Sequence, residues 1–155
     1  MKETLFRGKT LPKENKNHEF DSVWVYGDLI IDKATGKYYI HPQNNSFKTE
    51  NEIAKTMVVH EVDKKTIGQY TGLTDKYREM IFEGDIISYI WDTLAGKTDE
   101  KKYLISYNKN KAKFIADCIT NNYSLPTFEY VGQRGEIIGN CWDNPELVKS
   151  LCDIE

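Results

Sequence analysis

Two neighbouring strand-like segments, bent at glycines, constrain the fold of this 155-residue chain more than any other feature. The first spans residues 62–76 and the second spans residues 81–87. The residues that carry the pattern are Gly68, Gln69, Tyr70, Gly72, Glu83, Gly84 and Asp85. Because glycine takes positive φ without a steric penalty, it lets a strand bend or turn sharply. The pattern therefore predicts two β-strands joined by a long polar turn.

The corner formed by Glu83, Gly84 and Asp85 carries two carboxylates two residues apart. Such a pair could bind a metal ion or act as acid and base, or it could be a polar turn that leads into a strand. We favour the turn, because Gly84 permits the bend and Asp85 can accept hydrogen bonds from backbone N–H groups. These residues are therefore predicted to be structural.

The same segments resemble a known family. The sequences Gln-Tyr-Thr-Gly-Leu-Thr-Asp-Lys at 69–76 and Phe-Glu-Gly-Asp-Ile at 82–86 are similar to the signature of the YopX family, which consists of small proteins encoded by phages and prophages of bacteria. Weaker similarities follow in order at residues 6–9, 137–140 and 144–147. The resemblance implies a β-rich fold and a phage origin, and it supplies no catalytic residues.

The chain departs from the family pattern after Lys76, where an Asn-Gly type of turn is usual and Tyr-Arg-Glu-Met stands at 77–80. None of these four residues is glycine, which most readily takes the positive φ of a two-residue hairpin turn. We therefore expect a wider tip at this position, or one turn of helix.

The rest of the sequence also predicts a mainly β chain. Residues 20–40 read as a hairpin and define an N-terminal β-hairpin lobe, residues 1–56. Residues 57–155 are predicted to form a small SH3-like β-barrel, closed or partly open, with a short C-terminal helix that begins after Asn144. The two parts could instead form one integrated domain.

Two polar or glycine-containing stretches carry no clear strand period. Residues 8–19 are predicted to be a loop, and residues 120–135 a loop with one short strand.

Charge and composition narrow the classes of function. The net charge of −3 argues against non-specific binding of nucleic acid, which depends on Lys and Arg neutralising phosphates. The N-terminus lacks the apolar region of a signal peptide, and no apolar run approaches the roughly 20 residues that span a bilayer. Together with the phage origin that the resemblance implies, these features lead us to expect a protein of the bacterial host cytoplasm that contacts no membrane.

The candidate catalytic residues do not assemble into a known motif. The three cysteines and three histidines lack metal-ligand spacing, and the glycines near Thr71 lack the spacing of a phosphate-binding loop. The cysteines are expected to be free thiols in a reducing compartment. The prediction is a protein that is not an enzyme and that has no cofactor or metal.

One stretch, residues 97–113, combines basic and aromatic side chains. The candidate binding residues are Lys101, Lys102, Tyr103, Tyr107, Lys109, Lys111 and Lys113. Lysines beside aromatic rings suit single-stranded nucleic acid, whose phosphates the charges follow while bases stack on the rings. The alternative is that these lysines are solvent-facing charges that protect a strand edge.

The leading hypothesis is a phage accessory protein that acts by binding a protein partner or a second copy of itself. Trp24 and Tyr26, on the first predicted hairpin, are candidates for a contact surface or for a second buried face. The alternative hypothesis is a factor that binds single-stranded nucleic acid through residues 97–113.

Overall fold

The computed structural model describes residues 4–15, 18–20, 22–42, 59–92, 96, 98–119 and 127–148. These residues form mainly antiparallel β-strands, together with one short α-helix. The chain divides into two compact units, Met1–Gln69 and Tyr70–Glu155. No helix within the described ranges is both long enough and apolar enough to cross a lipid bilayer.

The first unit is built around one antiparallel sheet. In chain order, its described strands are β1 (Phe6–Lys9), β2 (Lys13–Asn15), β3 (His18–Phe20), β4 (Trp24–Asp32), β5 (Lys37–Pro42), β6 (His60–Glu61) and the start of β7 (Gly68–Thr74). The sheet order is β6-β5-β4-β1-β7, while β2 and β3 pair as a separate ribbon. The predicted loop at 8–19 is therefore wrong for residues 8–9, 13–15 and 18–19, while residues 16–17 lie outside the described residues. Backbone pairing of β1 with β4 and of β2 with β3 makes strands of polar residues that show no apolar alternation.

The predicted hairpin between β4 and β5 is confirmed. Its turn follows from the local sequence: Asp32 Oδ1 accepts hydrogen bonds from the N–H groups of Ala34 and Thr35, at 2.9 and 3.3 Å. Gly36 closes the turn at φ 72°. The side-chain hydrogen bond from Thr35 is the main cause that lowers the pKa of the Asp32 carboxyl.

Three buried side chains, Leu5, Ile40 and Val62, form the apolar centre of the first unit. Gly8 of β1 passes so close to this centre that a Cβ there would lie 3.1 Å from Val62 Cβ. A larger residue at position 8 would therefore need Val62 to shift by a few tenths of an ångström.

The second unit contains a four-stranded sheet and the helix. Its described elements are the end of β7, β8 (Met80–Phe82), β9 (Asp85–Asp92), β10 (Thr98–Asn108), β11 (Lys113–Cys118), α1 (Phe128–Arg134) and β12 (Glu136–Asn140). The sheet order is β11-β10-β9-β12, and β7 pairs with β8 through Tyr70 and Phe82. The strands predicted from the signature segments are thus confirmed. The hairpin of β10 and β11 is also confirmed, and Asn108 Oδ1 accepts the N–H of Lys111 in its turn.

Helix α1 packs on one face of this sheet and completes the core of the second unit. Phe128 and Val131, three residues apart, are buried with Ile87 of β9 and Ile105 of β10. The prediction of loop and strand at 120–135 is therefore wrong for residues 128–134. Burial of one apolar face stabilises a helix that is too short to be stable by propensity alone.

Three finer predictions concern the barrel, the C-terminal helix and the domain boundary. Within those ranges no sheet closes into a barrel, so the SH3-like arrangement stays a prediction. The predicted C-terminal helix begins as a 3-10 turn at Pro145–Leu147, and residues 149–155 lie outside the described residues. The predicted domain boundary at 56/57 also lies outside them, within residues 43–58.

Candidate contact surface

The Glu83-Gly84-Asp85 corner is held by hydrogen bonds to the surrounding strands. Asp85 is 2% exposed, and its Oδ2 accepts the N–H of Phe82 at 2.8 Å. The N–H of Gly84 donates to the carbonyl of Ile105 at 2.8 Å, and the carbonyl of Gly84 accepts the N–H of Cys141 at 2.9 Å. The corner thereby joins β8 and β9 to β10 and to the residue after β12. This geometry supports the structural interpretation of Gly84 and Asp85.

Gly84 could not be another residue without a change in the surrounding structure. Its φ is 87°, and a Cβ at this position would overlap the ring of Trp142. The indole therefore occupies the space that any side chain at position 84 would need.

The remaining signature residues lie along β7. Gly68 and Gln69 pair with Arg7 and Phe6 of β1. The ring of Tyr70 packs on that of Phe82 with centroids 5.6 Å apart, and Gly72 takes φ 88° where the register of β7 against β8 shifts. These four residues therefore lie at strand pairings or at the register shift of β7 against β8.

Asp75 organises the turn between β7 and β8, although the sequence analysis gave it no role. It is 5% exposed. Its Oδ1 accepts the N–H groups of Tyr77 and Glu79 at 2.8 and 3.0 Å, and its Oδ2 accepts the N–H of Ile137 at 3.2 Å. One carboxylate therefore fixes the turn and joins it to β12. The tip is wider than a two-residue hairpin, as the sequence predicts.

The predicted basic and aromatic residues do not share one surface. Lys101, Tyr103 and Tyr107 are two or four residues apart on β10, so they belong to one face of the sheet. This is the face that α1 covers, because Tyr103 is buried in the same core as Phe128 and Val131. Lys102 and Lys113 belong to the opposite face, since Lys113 pairs with Asn108. Lys109 and Lys111 lie in the exposed turn, and Lys97 lies outside the described residues.

Tyr103 is unsuited to stacking on a nucleobase, because only 2% of the residue is exposed. Burial raises the pKa of its phenol. Tyr107 is exposed and packs edge-on against Phe114, with ring centroids 5.3 Å apart. The part of the stretch that offers an accessible ring is therefore its turn end.

A different aromatic group lies where α1 meets β9. We call it the aromatic cluster: Tyr89 and Trp91 of β9 and Tyr130 of α1. The ring of Tyr89 is edge-on to Trp91 and to Tyr130, at 4.9 and 5.7 Å between centroids. Trp91 and Tyr130 are stacked, with centroids 6.2 Å apart and an angle of 27° between planes. Tyr130 is 38% exposed, and the other two rings are half-buried.

Two cations adjoin the aromatic cluster. The guanidinium of Arg134 lies 3.9 Å from the ring centroid of Tyr130, one helical turn earlier on α1. Lys101 Nζ lies 6.0 Å from the ring centroid of Trp91. At these distances the cations are attracted to the ring faces, by about 0.5–1 kcal/mol each at exposed sites. The cluster thus offers rigid rings and oriented positive charge together.

Part of this surface could have been found in the sequence. Tyr89 and Trp91 are two residues apart in a strong strand pattern, which places them on one face. Tyr130 and Arg134 are four residues apart, a spacing that matters only in a helix. Because the helix was missed, only Lys101 of this surface was singled out as a candidate.

The aromatic cluster and its two adjoining cations are suited to binding another molecule. Its groups are rings, a guanidinium and an ammonium, which bind by stacking, burial and charge. Within the described parts of the chain, no group of three or more His, Cys, Asp or Glu side chains is placed to hold a metal ion.

These observations define a class: a mainly β protein of antiparallel sheets whose signature residues hold strands together and whose aromatic residues cluster beside a short helix. The chain belongs to the YopX family, since the family model described as YopX protein matches residues 11–149. This confirms the resemblance seen in the signature segments. Among solved structures, the crystal structure of protein EF1440 from Enterococcus faecalis is similar at 21% identity and a TM-score of 0.43, covering 94% of this chain and 97% of that chain. No curated protein matches the chain.

Proposed function

We propose that this chain is a phage-encoded accessory protein without enzymatic activity, and that it acts by binding a protein partner or a second copy of itself. In this proposal it works in the cytoplasm of the bacterial host, and the strands of the second unit form an SH3-like scaffold for the contact. The observation that carries the proposal is the aromatic cluster, with Arg134 stacked on Tyr130 at 3.9 Å.

The residue types of the cluster favour a protein partner. Trp, Tyr and Arg are the side chains most enriched at the energetic centres of protein interfaces, where truncation of one often costs about 2 kcal/mol or more. Tyr130 exposes part of its ring while Trp91 and Arg134 pack against it. A ring held in place loses little conformational freedom on binding, so more of its contact energy contributes to affinity.

The second candidate function is binding of single-stranded nucleic acid. It is supported by Lys101 and Arg134, which place positive charge beside stacked rings. It is weakened by the burial of Tyr103 and by the division of the predicted lysines between two sheet faces. The exposed Tyr107 and the turn lysines would then form the rest of the surface.

The test compares three variants of the full chain. Tyr130→Ala and Arg134→Ala alter the cluster at exposed positions, and Tyr107→Ala removes an equally exposed ring from the far end of β10. Self-association is measured by sedimentation velocity over a range of concentrations, and partner capture is measured with each variant immobilised in host extract.

We expect the two cluster variants to lose at least tenfold in self-association or in capture of the same partner, while Tyr107→Ala keeps it. A strictly monomeric chain whose captured proteins are unchanged in both cluster variants would contradict the proposal. Binding of a labelled single-stranded oligonucleotide that falls with salt and with Tyr107→Ala would favour the second candidate.

A further inference from the structure

The turn between β7 and β8 exposes its side chains on a backbone that is unusually well fixed. We call residues 76–80 the tip. Asp75, buried beneath the tip, accepts three backbone N–H groups, two of them from the tip itself. Two backbone hydrogen bonds also close the turn. The N–H of Asp75 donates to the carbonyl of Glu79 at 2.9 Å, and the N–H of Arg78 donates to the carbonyl of Asp75 at 3.0 Å. These hydrogen bonds constrain the backbone of the tip without any partner.

That conformation is strained at one residue. Arg78 takes φ 71°, in the left-handed region that favours glycine. Within the described residues, Ala112 is the other non-glycine residue with positive φ, at 48° in the turn between β10 and β11. Strain of this kind persists where the surrounding structure imposes it, and it clusters at sites that bind ligands. Because glycine would suit this position better, an arginine here suggests that its side chain has a role in binding.

The exposed side chains of the tip are those that protein interfaces use. Tyr77 is 63% exposed and Met80 is 42% exposed, and Arg78 between them is also exposed. Among the described residues the Arg78 guanidinium has no hydrogen bond or ion pair. Tyr and Arg dominate interface energetics, and Met adapts its shape to apolar partners.

The other cation of the tip is already occupied. Lys76 Nζ lies 2.8 Å from Glu136 Oε2 and 4.9 Å from the ring centroid of Tyr77. The hydrogen bond to Glu136 raises the pKa of Lys76. Lys76 thus holds the Tyr77 ring, and Arg78 remains the cation that can pair with a partner.

We propose that the tip is a docking site for an acidic segment of a partner protein. A carboxylate of the segment pairs with Arg78, whose planar guanidinium suits two parallel hydrogen bonds to a carboxylate. An apolar residue beside that carboxylate packs on Tyr77 and Met80. The carboxylate of Glu79 in the same tip favours a segment with single acidic groups over a polyanion such as nucleic acid. This surface consists of other residues than the aromatic cluster, so it is tested independently.

The experiment selects ligands and then measures two properties of each variant. A display library of random peptides is selected on the immobilised full chain, and binding of the selected peptides and the thermal midpoint are measured for wild type, Arg78→Gly and Arg78→Asn. Glycine and asparagine both accept the left-handed backbone, so both variants keep the turn. Ala112→Gly is the matched control, because it relieves strain in the other hairpin turn.

We expect a family of selected peptides that pair an acidic with an apolar residue and that bind Arg78→Gly and Arg78→Asn at least tenfold more weakly. The thermal midpoint of Arg78→Gly should rise, which separates lost binding from lost folding. Ala112→Gly should also melt higher and bind as wild type does. Peptides without acidic residues, peptides that bind both Arg78 variants unchanged, or Arg78-dependent binding of a single-stranded oligonucleotide instead would each overturn the proposal.

Discussion

Replacement of Asp75 by asparagine tests whether one buried carboxylate holds the signature turn. Asparagine keeps the shape of the side chain, but one of its two terminal atoms becomes an NH₂ donor. With the oxygen toward the N–H groups of Tyr77 and Glu79, the nitrogen faces the N–H of Ile137, which then lacks an acceptor. Water can reach Tyr77 and Glu79, whereas Ile137 is half-buried. A hydrogen bond to a charged group contributes about 1.5–3 kcal/mol, so the free energy of unfolding should fall by about 2 kcal/mol.

The assay is urea unfolding followed by tryptophan fluorescence. With a slope of about 1–3 kcal/mol per molar urea, the loss should lower the midpoint by roughly 1 M without changing the slope. Asp32→Asn is the matched control, because Asp32 also accepts two turn N–H groups but lies at the surface. We expect the control to change the midpoint less. Equal midpoints for wild type and Asp75→Asn, or equal losses in both variants, would refute the reasoning.

Two further predictions concern the signature corner and the core of the second unit. Gly84→Ala combines strain at positive φ with overlap on Trp142, so it should lower the free energy of unfolding by about 2–5 kcal/mol in the same urea assay. Gly36→Ala, which has positive φ but open space around its Cβ, should lower it by only about 1–2 kcal/mol. Equal losses of stability in the two variants would show that the Trp142 ring moves aside, which would contradict the prediction. Burial raises the pKa of Tyr103, so the folded state holds the phenolic proton more tightly than the unfolded state does. The resulting stability is complete below the unfolded value near 10 and is lost as pH rises from there through the folded-state pKa. Tyr103→Phe should therefore lose less stability than wild type as the pH rises above about 10 in urea titrations. Parallel losses in the two proteins would contradict this.

The parts of the fold that the sequence predicts correctly are those with strong local signals. The β4–β5 hairpin was visible because Asp32 and Gly36 suit its turn, and the β10–β11 hairpin because Asn108 suits its own. The interpretation of Gly84 and Asp85 as structural residues also came from a local signal, the sharp bend, and it stays a prediction that the geometry of the corner supports. In each case the residues that decide the structure are within about five positions of one another.

The parts that the sequence did not predict depend on distant residues. Helix α1 is short, contains Gly132, and lacks a side-chain cap at Thr127, so it is stabilised by burial of Phe128 and Val131 against strands far away in sequence. Tyr103 looked like an accessible ring because nothing local shows which face of β10 α1 covers. Register and helix packing settle that question together, and neither is a local property.

The backbone strain at Arg78 is likewise a feature that only the structure reveals. The sequence indicated that no glycine was present at the tip, and therefore that the tip would be wider than a two-residue turn. It did not indicate that Asp75 would fix the tip and impose positive φ on Arg78.

The central claim is that the signature residues hold the strands together while the aromatic cluster makes the contact. Hydrogen–deuterium exchange tests it most directly, by comparing the protein alone with the same protein in its self-associated or partner-bound state. We predict new protection around Trp91 of β9 and Tyr130 of α1, and unchanged exchange at Gly84, whose N–H is already hydrogen-bonded to the carbonyl of Ile105. New protection confined to residues 83–85, with none around Trp91 or Tyr130, would contradict the claim.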